Sequence, residues 1–344
     1  MADRILEIGQ FAAGYCGRLF AHAGHDVVRI EPEATAPGWV GPAASDLYLH
    51  AGKRRVAAAD HTLIAELASR AQVVIAEAAS ADELAGLGFD DWRTPVKVAI
   101  TPFGRTGPKR NWQATPHVLL AMGGYTQLMG DADRAPLSLP GHYLEFQTGQ
   151  YAYVAANACR LAGANAAIDI GMFETLMSLS QFTTIQWHCM GEIRSRHGNE
   201  FWAVCPTNLY RLRDGWVYVN IVPAFWDAFT LFIERPELLV DERFLTNDLR
   251  MAHRDELNAI VAAVVTQIDR VEANRRAAAV RIPAGVVQTL DEVLDDPHLA
   301  ARGFWQTIRA PDGTQVRAPA LPWRFDGLPH PALELTEPEE AGHG

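Results

Sequence analysis

The chain has 344 residues, 49% of them apolar and 21% charged, with 27 Gly and 20 Pro. That balance is globular and excludes disordered, fibrous and repeat-built proteins. Thirty Lys and Arg against 41 Asp and Glu leave a formal charge of −11, which argues against nucleic acid or an anionic membrane as partner, because either needs a basic footprint built against the net field.

The length suits about two domains with substantial cores. Cys16, Cys159, Cys189 and Cys205 stand far apart and form no CxxC pair, so neither a zinc knuckle nor a disulfide framework is expected, and no metal. The N-terminus carries charges where a signal peptide needs an apolar core, and no apolar run reaches the ~18 residues of a membrane span. These features predict a soluble, cytoplasmic protein.

In chain order, Arg4 to Ile8 reads as a short apolar strand, followed by Gly9, Gly14 and Gly17 and a helix entered near Arg18. Asp26 to Glu31 is a second strand, and a β-α-β unit of about 30 residues fits a right-handed parallel crossover. The alternation continues through a helix at His61 to Arg70 and strands at Gln72 to Ile75 and Val96 to Thr101. It predicts an α/β fold: a Rossmann-like large domain with a parallel sheet, plus a smaller α+β domain. Apolar runs at Pro116 to Gly130 and Gly149 to Leu161 read as buried helices, Ala167 to Met172 as a strand, and Phe173 to Met190 as one long helix. A β-hairpin follows, Leu209 to Leu212 and Trp216 to Ile221 joined at Asp214-Gly215, where glycine supplies the positive φ of a tight turn. Helices at Ala224 to Ile233 and His253 to Thr266, a strand from Ile282, short helical turns at Leu290 to Leu294 and Pro297 to Arg302, and a loosely ordered tail from Pro329 complete the chain. The expected division is a large domain over 1–197, a linker over 198–207, a small domain over 208–302, and a return to the large domain with the tail over 303–344.

Familiar nucleotide and hydrolase motifs are absent. Gly9-x4-Gly14 lacks the Lys-Ser/Thr of a P-loop, and Gly9, Gly14 and Gly17 are misplaced for a dinucleotide turn. There is no G-x-S-x-G elbow and no H-E-x-x-H.

An ordered series of segments does carry a resemblance. Ile5-Leu-Glu-Ile through Gly14 to Ala23-Gly-His-Asp-Val-Val-Arg-Ile-Glu-Pro32, then Gly52-Lys-Arg-Arg-Val, Phe103-Gly-Arg-Thr-Gly-Pro108 and Ala121-Met-Gly-Gly124 resemble the class III CoA-transferase (CaiB/BaiF) family. So do Ile168-Asp-Ile-Gly-Met-Phe-Glu174, Asp214-Gly-Trp-Val, Ile282-Pro-Ala-Gly-Val-Val and the run from Leu290 through Asp296, Pro297 and His298 to Phe304. That family includes formyl-CoA transferase, carnitine CoA-transferase and α-methylacyl-CoA racemase. Its catalytic residue is an Asp four positions before a Gly, and counting back from Gly149 lands on Glu145, a carboxylate one methylene longer.

The resemblance implies an enzyme that takes acyl-CoA and a carboxylic acid as substrates. A carboxylate at a loop-to-helix junction attacks the thioester, giving an anhydride and then an enzyme–CoA thioester; backbone N–H donors steady the oxyanion, and the helix N-terminus favours the anion. His142 is a candidate orienter of Glu145, against the plain reading of a surface-loop histidine. Tyr143, Phe146, Gln147, Gly149 and Trp39 are candidate pocket residues, and the aromatics around the matched segments, Trp112, Trp187 and Trp202 included, suit a bulky acyl group or ordinary core packing.

At positions where the family grips CoA, this chain has Pro32, Ala78, Ala79 and Gly86. Arg29, Lys53, Arg54 and Arg55 are the candidate replacements for the phosphates, with Gly14 beside them; a solvated basic loop is the competing reading. The racemase branch needs a second base where Thr115 stands, with His117 two residues away. Three readings therefore stand: a CoA-transferase using Glu145, a racemase or other acyl-CoA-converting relative, and a catalytically weak subunit of a heteromeric enzyme. The resemblance also implies interlocked rings and a homodimer, with a heteromeric partner as the alternative.

Overall fold

Successive residues of a strand face opposite sides of a sheet, and the first strand shows what both sides demand. In β1 (Arg4–Ile8), Ile5 packs into one apolar cluster and Leu6 and Ile8 into another. Both faces are therefore covered, as expected of a parallel sheet between two helical layers. The computed structural model describes residues 2–31, 43–57, 60–324 and 333–339. By its internal contacts the chain divides into two units, residues 1–126, 138–193 and 297–344 in the first, and 127–137 with 194–296 in the second.

In the first unit, β1 leads to α1 (Phe11–His22), β2 (Asp26–Ile30), α2 (Ala43–His50) and β3 (Arg54–Val56). Then come α3 (His61–Ser69), β4 (Val73–Glu77), α4 (Ala81–Gly86), β5 (Val96–Thr101), α5 (Pro116–Met122), α6 (Tyr143–Leu161), β6 (Ala166–Gly171), α7 (Met172–Leu179) and α8 (Gln181–Met190). Among the described residues the strands form a six-stranded sheet in the order β3-β2-β1-β4-β5-β6, parallel throughout. This is the order of a doubly wound nucleotide-binding sheet. It reverses between β1 and β4, where ligands bind beyond the strands' carboxyl ends.

One face packs Ile5, Val27, Val73, Ile75, Val98 and Ile100 against α1, α5, α6 and α7, and the other packs Leu6, Val28, Val74 and Ala76 against residues of α3, α4 and the following loop. The helices begin where capping chemistry allows: Asp60, Ser80 and Thr115 each accept a bond from the third residue of the helix they precede.

Two helices depart from the sequence reading. α1 begins at Phe11 rather than near Arg18, so Gly14 and Gly17 lie within it. Gly17 is required there because a Cβ would sit 2.9 Å from the Glu7 carboxyl carbon. The expected single helix over 173–190 is two, α7 and α8, separated at Ser180, whose hydroxyl donates back to the Met177 carbonyl at 2.8 Å.

The second unit opens on β7 (Thr207–Arg211) and β8 (Trp216–Asn220), an antiparallel hairpin closed by a Leu212 N–H to Gly215 carbonyl bond of 2.8 Å. Gly215 does not take the positive φ expected of it, and its want of a Cβ instead admits Arg270, whose Cδ a Cβ would meet at 2.7 Å. It continues through α9 (Trp226–Phe232), α10 (Asn247–Ala252), α11 (Arg254–Val265) and α12 (Arg270–Val280) to β9 (Ala284–Val286), which pairs antiparallel with β8. Tyr210, Val217, Phe229, Phe232, Phe244, Leu257 and Val261 build its core. Arg196 ties residues 127–137 to this unit, donating to the carbonyls of Gln127, Asp131, Ala132 and Arg134.

α13 (Leu290–Leu294) ends that unit, and α14 (Pro297–Ala301) starts the return. There β10 (Trp305–Arg309) pairs antiparallel with β11 (Gln315–Pro319) and parallel with β12 (Leu333–Glu334). Residues 333–339 of the tail, read as loose from composition, are thus hydrogen-bonded, the Glu339 N–H also donating to the Arg55 carbonyl at 2.8 Å.

Candidate active site

The switch point between β1 and β4 is held by a close approach of backbone. Gly9 leaves β1 with φ +133°, and a Cβ there would meet Glu77 Cβ at 2.5 Å. No L-residue with a side chain fits. The chain then turns into α1, whose N-cap, Gln10, makes no side-chain cap bond. Glu77, the last residue of β4, takes that role from across the switch: its Oε2 accepts the Gln10 N–H at 3.1 Å and the Ala13 N–H at 2.9 Å.

α6 runs beside α1. Leu144, Glu145, Thr148, Gly149, Ala152 and Ala156 are its buried residues, a helical spacing that marks the packed face. The contact is close because of Gly149, where a Cβ would lie 2.7 Å from the Ala12 carbonyl. Gly149 is therefore the helix–helix contact residue six positions into α6 rather than the helix start, and Glu145 sits in the first turn.

Glu145 is 7% exposed. Its Oε1 pairs with His142 Nδ1 at 2.8 Å, while its Oε2 is buried with no hydrogen-bond partner among the described residues. A buried carboxylate oxygen left unpaired carries a desolvation cost. The Phe11 ring stacks on the His142 imidazole at 3.9 Å and 14°, and Phe146 stands edge-on to both Phe11 and Tyr15. The first turns of α1 and α6 are thereby joined through aromatic contacts, and His142, the N-cap of α6, spends its side chain on Glu145 and makes no cap bond. Tyr143 is half-buried and faces Tyr125, whose phenol burial pushes up to about 12. Gln147 is half-buried on α6.

The residues singled out from the sequence thus separate. His142, Glu145 and Phe146 come together, and Trp39 and Pro32 lie outside the described residues. Trp112 and Trp187 are exposed. Arg29 and Lys53, expected to meet phosphates, have side chains that are 0% exposed; Glu7 takes Arg29 Nη1 on Oε1 at 2.5 Å and Lys53 Nζ on Oε2 at 2.5 Å. Lys53 also donates to the Gly14 carbonyl at 2.7 Å. A phosphate would have to displace Glu7 from the interior, so these two cations and Gly14 brace α1 on the sheet. Burial brings the Lys53 ammonium down to about 8 against the opposing pull of Glu7. Arg55 is nearly buried and binds Glu31 Oε1 at 2.5 Å and the Thr336 carbonyl at 3.0 Å. Arg54, 50% exposed, reaches Asp26 at 3.5 Å, toward the amino end of β2 and away from the switch point. Thr115 caps α5 through its hydroxyl, and His117 is exposed on that helix.

Phe11 and Glu77 are the site residues that sequence reasoning missed. Glu77 had a signal, a carboxylate closing an otherwise apolar strand, but its partners are 64 and 67 residues away. No cluster of three His, Cys, Asp or Glu suited to a metal occurs among the described residues, and no helix of the described residues is long and apolar enough to cross a membrane.

A doubly wound sheet with a buried carboxylate at a helix mouth near its switch point has the layout of an α/β enzyme, a class in which ligands bind beyond the strand ends. The chain belongs to CoA-transferase family III, whose model matches residues 3–343, and it is a CoA-transferase. It is 27% identical to the succinyl-CoA–D-citramalate CoA-transferase of Chloroflexus aurantiacus, over 95% of this chain and 87% of that one. It is 26% identical to the succinate–glutarate CoA-transferase of Agrobacterium fabrum, over 96% and 92%. Among solved structures, a CaiB/BaiF family protein from Brucella suis shares the fold, with a TM-score of 0.81 and 24% identity over 97% of this chain and 94% of that one.

Proposed function

We propose that the chain moves CoA between an acyl-CoA and a carboxylic acid with Glu145 as the covalent nucleophile. The observation that carries this reading is the division of labour at the Glu145 carboxylate: Oε1 is held by His142, and Oε2 is buried and has no partner among the described residues. Such an oxygen is already stripped of water, a cost met on folding rather than at the moment of attack.

In the first half-reaction Oε2 bonds to the thioester carbon, the C–S bond breaks, and CoA leaves as thiolate, giving a mixed anhydride. The thiolate then attacks the Glu145 acyl carbon, the anhydride C–O bond breaks, and the donor leaves as its carboxylate, with CoA now on the enzyme. An incoming carboxylate repeats the two exchanges in reverse order and restores the free Glu145. No proton is consumed or released by the sum. His142, fixed by Phe11, keeps the carboxylate oriented. The positive end of α6, with no side-chain cap at His142, favours both the anion and the oxyanion formed beside it.

The relatives' names point to dicarboxylic acids of four or five carbons as the first substrates to test. The test is covalent capture: the protein is mixed with succinyl-CoA, quenched with hydroxylamine and digested. A hydroxamate on the peptide holding Glu145, absent without acyl-CoA and absent from E145Q, is expected. A label elsewhere, or exchange activity that survives in E145Q, would reject the assignment.

A further inference from the structure

We infer that Glu77 is a positioning residue for this reaction: it fixes the first turn of α1, and through Phe11 and His142 the orientation of Glu145, while a negative charge on it opposes the chemistry at Glu145. The inference rests on the reading of Glu145 as nucleophile. The connection is continuous. Glu77 Oε2 takes the N–H groups of Gln10 and Ala13, which flank Phe11. The Phe11 ring lies flat on the imidazole that holds Glu145 Oε1. Gly9 lets the backbone pass close to Glu77, since a Cβ there would meet Glu77 Cβ at 2.5 Å.

The ionisable groups facing Glu77 are Glu145 from α6, which opposes its charge, and Arg29 from β2, which favours it; α1 offers backbone N–H donors, and Ile100 of β5 lies opposite it in the sheet. Burial outweighs the rest and pushes the carboxyl up to about 7. Near neutral pH the site therefore passes between one negative charge and two. A second charge repels both the anionic substrates and the oxyanion formed at Glu145.

E77Q keeps an oxygen for the two N–H groups and removes the charge, whereas E77A removes both. Single-turnover formation of the Glu145–CoA thioester from succinyl-CoA, followed from pH 5.5 to 9, separates the two roles. In the natural protein the rate is expected to fall as pH rises through about 7. E77Q should stay within a few-fold of the natural rate at low pH and lose that descending limb. In E77A the rate should drop on the order of 10²-fold, the cost of misplacing a reacting group by about 1 Å, with little change in the acyl-CoA concentration giving half-maximal rate. A descending limb unchanged in E77Q, or its absence from the natural protein, would overturn the inference, and E77Q settles the matter even if E77A fails to fold. If the natural protein carries no CoA on Glu145 at any pH, it is the nucleophile reading that fails instead.

Discussion

Two buried carboxylates flank α1, and they have opposite surroundings. Glu7 lies under the helix with both oxygens engaged, one by Arg29 and one by Lys53, and Gly14 and Gly17 leave room for the cluster. Glu145 lies beside the first turn of the same helix with one oxygen engaged and one without a partner among the described residues. A carboxylate engaged on both oxygens and neutralised by two cations is held in place. One that is oriented on one side only is free to react, which is the role proposed for Glu145. The comparison teaches that burial alone says little about what an acid does; the two carboxylates differ in how many of their oxygens have a partner among the described residues.

Exchanging the roles of these two groups is the strongest way to break the contrast. E145Q should lower CoA exchange by at least about 10⁴-fold, as expected for loss of a covalent nucleophile, and leave the urea midpoint near its natural value. E7Q should do the reverse, keeping turnover per folded molecule while costing about 3–5 kcal/mol of stability in urea, because it leaves two cations buried without their counter-charge. Equal effects of both variants on both measurements would dissolve the distinction.

Glu77 sharpens the contrast from a third side, since burial holds its carboxyl up to about 7 from an ordinary 4.5. The folded protein keeps that proton where the unfolded chain has lost it, so this contribution to stability is fully present below about pH 4.5 and is lost as pH rises through about 7. Relative to the natural protein, E77Q should therefore gain stability between pH 5 and 8, by roughly 3 kcal/mol. Paired denaturation curves across that range check the sign. A constant difference would mean that Glu77 does not titrate there.

The smallest effect concerns the seam that brings α6 to the site. G149A places a methyl 2.7 Å from the Ala12 carbonyl, a backbone atom that cannot swing away. Separation of α1 from α6 should cost about 1–3 kcal/mol and lower the exchange rate more than the stability loss alone explains. A fully active, equally stable G149A would show that the seam is not what sets the site.

Much of the framework was legible along the chain. β1, β2, β5 and the hairpin of β7 and β8 fall where apolar periodicity and the Asp214-Gly215 turn place them, because strand periods and tight turns are local properties. Glu145 and His142 could be picked out by motif and by a spacing of three residues. Whether Arg29 and Lys53 faced a ligand or a buried acid could not, since Glu7 is 22 and 46 residues distant in sequence. Likewise α1 extends back to Phe11 because its N-terminus is capped by Glu77 from β4, a donor–acceptor match invisible to any local window.

The sequence by itself determined the alternating α/β order, the family and the acid at 145, all of which are written in short-range patterns and in the order of motifs. Tertiary structure decided which charges were neutralised, which helix met which, and which oxygen of Glu145 His142 holds. Those outcomes depend on electrostatics and packing between segments far apart in the chain, where each group's energy is set by its neighbours and its access to water.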